Sequence, residues 1–279
     1  MHLDQDIIDI LKIKASTKTV EDPQKRPKAT LPEQLPILGL SDIVIFPGMV
    51  APLLIESAPS SGLVDDVVSG NRLIGLVLQT TPDVEEPEPK DLHPYGCMAR
   101  VQKMVKQSNN SVRILIEGLK RIRLLDFKQT DPYLLANVEY FHEPAEASLE
   151  AKALVRSAKK LFEAILEKSP TLTDQVKSSN LNTEDPEKLS DLIGANLNLG
   201  LADHQKLLSA HVVTERLKIL LPLLKHELEL QSIGARIQKE VTASVSKSQR
   251  DYYLREQLRV IQRELGEDDS AGREMAVLK

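Results

Sequence analysis

The spacing of apolar residues changes once along this chain, near residue 143, and that change most limits the folds available to it. From Leu35 to about Phe141, apolar residues lie in short runs with the two-residue alternation of β-strands. After Glu143 they recur every three or four residues, as they do on one face of a helix. Strands that precede helices in separate blocks indicate an α+β fold. We therefore predict a small, curled, mostly antiparallel β-barrel-like domain, followed by an all-helical domain that ends in a long helix.

Six or more strands are predicted in the first region, because its apolar runs end at proline, glycine or polar turn residues. The runs are DIVIF (Asp42 to Phe46), APLLIE (Ala51 to Glu56), RLIGLVLQ (Arg72 to Gln79), MARVQKMV, VRILIE, RIRLLDF and YLLANVEYF. The turn sequence QSNNS between MARVQKMV and VRILIE predicts a hairpin. One helix is expected to interrupt the sheet, at about Gly62 to Ser69.

The second region predicts a series of helices. The first, SLEAKALVRSAKKLFEAILEK, ends at Pro170. Its apolar residues lie on one face of the helix: Leu154, Ala158, Leu161, Phe162, Ile165 and Leu166. Further helices are expected around Asp174, after Thr183 and near Asp203. The helix after Thr183 should have Pro186 in its first turn and Gly200 just past its end. LKILLPLLKHELEL then continues into the long terminal helix, with Ile233 and Ile237 packing on the helical domain.

These patterns divide the chain into four segments. Residues 1–34 are a flexible N-terminal extension, 35–143 a β-rich domain, 144–228 a helical bundle, and 229–279 a long connecting helix with a truncated tail. The first segment is predicted to be flexible because the stretch STKTVEDPQKRPKATLPEQLP, which begins in it and ends at Pro36, contains four prolines.

Charge and cysteine content exclude several classes of protein. A net charge of -5 argues against nonspecific nucleic-acid binding by the whole molecule. Cys97 is the only cysteine, which excludes an internal disulfide and fits a structural thiol in a reducing compartment. No apolar run approaches the ~20 residues of a transmembrane helix, and the start MHLDQDIIDILKIK is acidic where a signal peptide would be basic. We expect a cytoplasmic protein without a membrane partner.

Catalytic, cofactor-binding and metal-binding residues are not predicted anywhere in the chain. The sequence contains no GxxxxGK[ST], GxGxxG, HExxH or GxSxG motif. Of the six histidines, only His204 and His211 share a helix face, and they lack a cysteine or a well-spaced carboxylate. The chain by itself is therefore expected to be neither an enzyme nor a cofactor-binding protein.

The stretch IFPGMVAPL has two interpretations. Pro47 followed by Gly48 predicts a tight turn between two apolar strands, which a hairpin corner would explain completely. Alternatively, Phe46, Met49 and Val50 form an apolar rim that contacts unfolded polypeptide, since methionine suits adaptable binding.

The predicted terminal helix carries an apolar stripe of Leu254, Leu258, Ile261 and Leu265 beside arginines that include Arg255. This stripe and Tyr252 predict a partner outside the helical domain, so that the helix acts as a strut or an interface. Residues 235–265 contain seven Lys or Arg against four Asp or Glu. That excess is typical of a solvated helix face, and a docking surface for an acidic partner is the alternative.

Several stretches resemble the Lon protease family. LPILGLSDIVIFPGMVAPLLI is similar to the family's opening segment, and RLIGLVLQT, DLHPYGCMARV and VRILIEGLKRIRLLDF resemble the next three blocks in the same order. The most specific similarity is KSQRDYYLREQLRVIQRELGE, because in this family such a helix leads into the ATPase module. The resemblance covers about Leu35 to Glu267. Cys97 departs from it, since a threonine is usual there.

The resemblance implies a non-catalytic N-terminal region that recognises substrates and assists assembly in an ATP-dependent Lon-like serine protease of the AAA+ class. Its partners would be unfolded or degron-bearing polypeptides, and copies of itself in a hexamer. ATP and magnesium would be bound by the full-length parent, outside this chain. The alternative is a stand-alone RNA-binding or adaptor module, which should show a basic groove with stacking aromatics. A purely structural spacer is a third interpretation.

Overall fold

A computed structural model of the protein describes residues 31–81, 84, 86–107, 111–141, 148–168 and 185–264, except for the side chains of residues 243–248 and 264. All of its helices and strands belong to the unit that begins at Gln34. The predictions for residues 1–30, for a helix around Asp174, for Leu265 and for the tail lie outside these ranges.

Six strands form the sheet of the first region. They are β1 (Gln34–Leu40), β2 (Val50–Ile55), β3 (Leu73–Leu78), β4 (Tyr95–Lys106), β5 (Val112–Gln129) and β6 (Leu134–Tyr140). Their order is β2-β5-β4-β3-β1-β6, and β6 also pairs with β5, so five strands close into a barrel that β2 extends. Only the β1–β3 pair is parallel among these strand pairs. The predicted α+β fold with a curled, mostly antiparallel sheet is confirmed.

The long strand β5 organises this barrel. It joins two apolar runs that the sequence presents separately, and Gly118 lies between them. One edge of β5 pairs with β4. The other edge pairs first with β2, over Val112 to Glu117, and then with β6, from Ile122 to Gln129. Strands β2 and β6 therefore follow one another along the same edge of β5.

Five α-helices and a short 3-10 helix (Pro89–Asp91) complete the described fold, and the α-helices are α1 (Ala58–Ser69), α2 (Leu149–Lys168), α3 (Pro186–Asn196), α4 (Leu201–Ser209) and α5 (Val213–Glu264). The predicted first turn of α3 is confirmed, because Asp185 caps the helix and Pro186 occupies its start. Gly200, however, does not end α3. It is the N-cap of α4, where its carbonyl oxygen accepts hydrogen bonds from the amides of Asp203 and His204.

Residues 43–46 correct the prediction of a strand at DIVIF. Their side chains alternate as expected, but both faces are buried. Ile43 and Ile45 pack in the barrel core, whereas Val44 and Phe46 pack in the core formed by the helices. The segment is extended without belonging to any strand of the sheet, and it links the two hydrophobic cores. The short apolar run that ends at Pro47 predicted a strand here, because burial of both faces is equally typical of a strand inside a sheet.

Helix α5 contains 52 residues and is about 78 Å long at 1.5 Å per residue. Its first part packs against the other helices through four buried residues, Val213, Leu217, Leu220 and Leu224. The neighbouring helix α2 runs in the same direction, since Glu150 near its start pairs with Lys218 and Lys168 at its end reaches Ser232. The bundle therefore covers α5 only to about this point.

Beyond Ser232, every described side chain of α5 is exposed. Ile233 is 45% exposed and Ile237 is 52% exposed. The prediction that these two residues pack on the helical domain is therefore wrong. The reason is geometric: α2 ends at Lys168, so the turns of α5 after Ser232 have no described helix beside them.

Candidate functional site

A buried ion-pair cluster joins the barrel to the helices. Arg121 on β5 donates from Nη1 and Nη2 to the two carboxylate oxygens of Asp191 on α3, at 2.8 and 2.5 Å. Arg216 on α5 approaches the same carboxylate, with its Nη1 3.4 Å from Oδ1. None of the three side chains is more than 4% exposed. The cluster thus fixes one strand and two helices that are distant in sequence.

Two guanidinium groups against one carboxylate leave a net positive charge in the interior, and backbone carbonyls offset it. Nε of Arg121 donates to the carbonyl of Leu208 at 3.1 Å, and Nε of Arg216 donates to that of Ala210 at 3.0 Å. These carbonyls lie at the C-terminal end of α4, where the helix dipole is negative. The cluster therefore holds the helices in a fixed position on the barrel. We call this contact between the barrel and the helices the junction.

Sequence reasoning missed this cluster, although one signal pointed to it. Arg216 lies on the same helix face as Val213 and Leu220, which are buried, so a charged residue occupies a core position. Asp191 likewise lies between the buried Leu189 and Ile193. A charge at a core position predicts a buried partner, but spacing alone does not identify which residue that partner is.

Phe46 is an anchor at the same junction and does not lie on the surface. It is 1% exposed, its ring centroid lies 5.8 Å from that of His204, and its ring faces Gly194 on α3. A Cβ at Gly118 would overlap its carbonyl oxygen, which explains glycine at that point of β5. The prediction that the Phe46 side chain forms part of an exposed rim is therefore wrong.

Met49 and Val50 follow the Pro-Gly turn, and the side chain of Val50 is more exposed than that of Met49. The turn is held against β5, because the amide of Gly48 donates to the carbonyl of Gly118 at 2.9 Å and Gly118 donates to Met49 at 2.8 Å. Gly48 has φ of +79°, which favours glycine. The Met49 side chain is half-buried between the two cores, and Val50 is 40% exposed. Contact of either residue with a substrate stays a prediction.

The exposed face of β2 extends beyond Val50. Ala51, Leu53 and Ile55 point into the barrel, so Val50, Pro52 and Leu54 point outward. Two residues on the neighbouring strands continue this surface. Leu115 on β5 lies opposite Pro52. Val105 on β4 lies opposite Arg113 of β5, which in turn lies opposite Leu54. We call these five residues the outer apolar face: Val50, Pro52, Leu54, Val105 and Leu115. Exposed apolar patches with a polar border are typical of contact surfaces.

The interface residues predicted on the terminal helix are all exposed. Tyr252 is 69% exposed, and Leu254, Leu258 and Ile261 are between 49% and 57% exposed. Arg255 lies on the same exposed part of α5. No other described element of the chain covers this stripe, so the structure leaves its partner as a prediction.

Cys97 is a buried thiol rather than a reactive one. It is fully buried, and this burial raises the pKa of its thiol to about 12, although Arg121 acts in the opposite direction. The described residues contain no group of three or more His, Cys, Asp and Glu side chains arranged to hold a metal ion. Within the same part of the chain, no helix has the length and apolarity needed to cross a membrane.

Comparison with known proteins gives the same assignment as the motifs. Residues 34–226 match the model of the ATP-dependent protease La (LON) substrate-binding domain. The chain is 37% identical over 247 residues to a Lon protease of Dictyoglomus thermophilum, covering 88% of this chain and 31% of that relative. It is 39% identical over 249 residues to a Lon protease of Roseiflexus castenholzii, covering 89% of this chain and 30% of that relative.

A solved structure is also similar. The N-terminal domain of a Mycobacterium avium complex Lon protease superposes with a TM-score of 0.56 at 25% identity, covering 69% of this chain and 98% of that one. The chain spans less than a third of the length of the two curated relatives. The resemblance inferred from the motifs is confirmed, and the chain belongs to the family of ATP-dependent protease La (LON) substrate-binding domains.

Proposed function

We propose that this chain captures unfolded or degron-bearing polypeptides for a Lon-like ATP-dependent protease and takes no part in the hydrolysis itself. The observation that carries the proposal is the outer apolar face, because it lies within the residues that match a substrate-binding domain. Val50, Leu54 and Val105 are exposed on strands whose other faces form the barrel core, and Leu115 beside them is partly exposed. Such a surface can bind apolar segments that a folded protein hides and an unfolded protein exposes.

The larger protein is proposed to be a hexameric, cytoplasmic serine endopeptidase of the AAA+ class that binds ATP and magnesium outside this chain. The support is that the chain covers only 31% of a relative named Lon protease, which leaves room for other modules in such a protein. The exposed stripe of Leu254, Leu258 and Ile261 supports packing of α5 against neighbouring copies or against such a module. A coiled-coil contact would bury it.

The test is binding to a permanently unfolded protein. Fluorescence anisotropy with reduced, carboxymethylated α-lactalbumin should give a dissociation constant on the order of micromolar, because ordering an extended chain offsets much of the contact energy. Native α-lactalbumin serves as the folded comparison and should bind at least tenfold more weakly.

Two variants locate the site. Val50→Asp places a charge on the outer apolar face and should weaken binding about tenfold without lowering the melting temperature. Leu149→Asp is the matched control, because Leu149 is 86% exposed at the start of α2, away from that face. Equal binding by both variants would show that the outer apolar face is not the capture surface.

A further inference from the structure

A groove runs beside β2, between this strand and the second half of β1, which are not paired with one another. Its volume is about 550 Å³, within the range of specific ligand sites. One wall consists of residues 38–43, at the end of β1 and just after it, and the other of residues 52–57, at the end of β2 and just after it. Both of these walls are unbroken runs of consecutive residues, and Ser60, Gln79 and Val84 complete the lining. A groove on the face of a strand would be lined by every second residue, so this one follows the strand edges.

The pairing of the strands explains why these edges are open. Residues 34–37 of β1 pair with β6, whereas residues 38–40 pair with β3 on one side only. Strand β2 pairs with β5 and with no other described strand. Because β2 and β6 follow one another along β5, the second half of β1 faces β2 across the groove. The barrel therefore has a seam with a strand edge on each side.

The charged residues of the groove are all acidic. Of the described residues that line it, the charged ones are Asp42 and Glu56, one at the end of each wall, and both are exposed. Neither carboxylate forms an ion pair with a described residue of the chain. Two exposed carboxylates beside open strand edges complement an extended segment that carries positive charge.

We propose that this seam accepts an extended segment of substrate as an added β-strand, and that it selects segments in which apolar residues alternate with lysine or arginine. The proposal rests on the proposed function and names the class of polypeptide that function would take. Main-chain hydrogen bonds to β1 and β2 supply affinity that is independent of sequence. Asp42 and Glu56 supply the preference for basic residues, and the apolar residues of the segment lie towards Leu54 at the edge of the outer apolar face.

The probes are three acetylated, amidated octapeptides. The first is a lysine-valine repeat, the second is the glutamate-valine repeat, and the third is the lysine-valine repeat with N-methyl groups on every second residue. N-methylation keeps every side chain but removes the donors to one strand edge. The first peptide should bind at least tenfold more tightly than either of the others, by anisotropy at low ionic strength.

Fluorescence quenching shows where on the protein the peptide binds. Ser60→Cys lines the groove and Lys160→Cys lies on the exposed side of α2. Either can be labelled selectively, because the only natural cysteine is fully buried. A quencher on the lysine-valine peptide should reduce fluorescence from a label at position 60 and leave a label at position 160 unchanged.

The charge preference is tested with neutral substitutions. Asp42→Asn combined with Glu56→Gln should remove the difference between the lysine and glutamate peptides. Glu163→Gln combined with Glu167→Gln, on α2, changes the net charge equally and should preserve the difference between the two peptides.

The inference is overturned if the N-methylated peptide binds like its parent, if quenching occurs at position 160 rather than 60, or if both double variants behave alike. If unfolded α-lactalbumin still binds in any of those cases, the proposed function stands and only the proposal for the seam is wrong. If neither α-lactalbumin nor the peptides bind, both proposals are wrong.

Discussion

Helix α5 has two parts with the same secondary structure and different surroundings. Up to Leu228 it is built into the helical core, where Leu217, Leu220 and Leu224 are completely buried. From Ile233 onward its described side chains are exposed, including large apolar ones such as Leu258. One continuous helix therefore begins inside the bundle and continues well outside it.

The difference shows that a helix can be maintained for two separate reasons. In the first part, each fully buried leucine contributes roughly 1.5–3 kcal/mol of transfer free energy, which far exceeds its intrinsic helix propensity. In the second part, only local hydrogen bonds and good helix formers remain, and such helices are marginal in water by themselves. The exposed stripe around Leu258 would be stabilised by a partner, so the two parts should respond differently to substitution.

The largest effect is expected where the first part of α5 meets the barrel. Asp191→Ala would leave the guanidinium groups of Arg121 and Arg216 buried without their shared carboxylate, and should lower the free energy of unfolding by about 3–5 kcal/mol. Urea denaturation followed by far-ultraviolet circular dichroism measures the loss. Glu139→Ala is the control, because the Glu139 pair with Arg123 is half-exposed and should change stability by ~1 kcal/mol or less. Equal losses would mean that the buried cluster is no more important than a surface pair.

A matched pair of leucine substitutions compares the two parts of α5 directly. Leu217→Ala removes a fully buried side chain and should cost about 2–5 kcal/mol, because a cavity remains in the helical core. Leu258→Ala removes a side chain that is 57% exposed and should change the stability of the isolated chain by about 0.5 kcal/mol or less. A large loss for Leu258→Ala would reveal a contact of the terminal part of α5 that the described fold does not contain.

The sequence predicted the fold more completely than the site. The period of the apolar residues predicted a curled antiparallel sheet, the helices and the long α5, since both periods follow from backbone geometry, but DIVIF is not a strand and β1 is absent from the predicted runs. It failed at Phe46 and Ile233 for opposite reasons. The side chain of Phe46 is buried although the rim interpretation requires it to be exposed, because it packs against helices that lie more than a hundred residues later in the chain. Ile233 is exposed although the helical stripe predicts its burial, because that stripe continues past the end of α2.

The site required information that local patterns do not carry. The seam beside β2 depends on which half of β1 and which edge of β2 remain unpaired, which is a property of strand order and register rather than of any one strand. The pairing of Arg121 with Asp191 and Arg216 depends on the same topology. Val50 is exposed, as the rim interpretation requires, because it lies on the outward side of β2, and its contact with a substrate stays a prediction.

Acid should weaken the junction and leave the exposed part of α5 unaffected. Burial lowers the pKa of His204, which packs against Phe46, although the carbonyls of Leu197 and Gly194 and the charge of Asp203 oppose this shift. The unfolded state therefore binds the proton first as the pH falls, and stability should decrease from about pH 7 downward through the lowered pKa. Urea midpoints between pH 7.5 and 5.5 measure this, and His204→Gln should flatten the dependence. An unchanged slope in that variant would assign the effect to other groups.

The smallest effect is expected at Gly234, where α5 leaves the bundle. Glycine costs a helix interior roughly 0.5–1 kcal/mol relative to alanine, and a Cβ at this position would meet no atom within 4 Å. Gly234→Ala should therefore slow hydrogen exchange of nearby amides, such as those of residues 235–242, by about two- to fivefold, while the urea midpoint of the bundle stays constant. Gly194→Ala provides the contrast within the core. It gives the same gain in propensity, but its Cβ would lie 3.2 Å from the ring of Phe46, so it should destabilise the junction. If Gly234→Ala instead raised the urea midpoint, the part of α5 beyond the bundle would be unfolding together with the core, and the distinction between the two parts would fail.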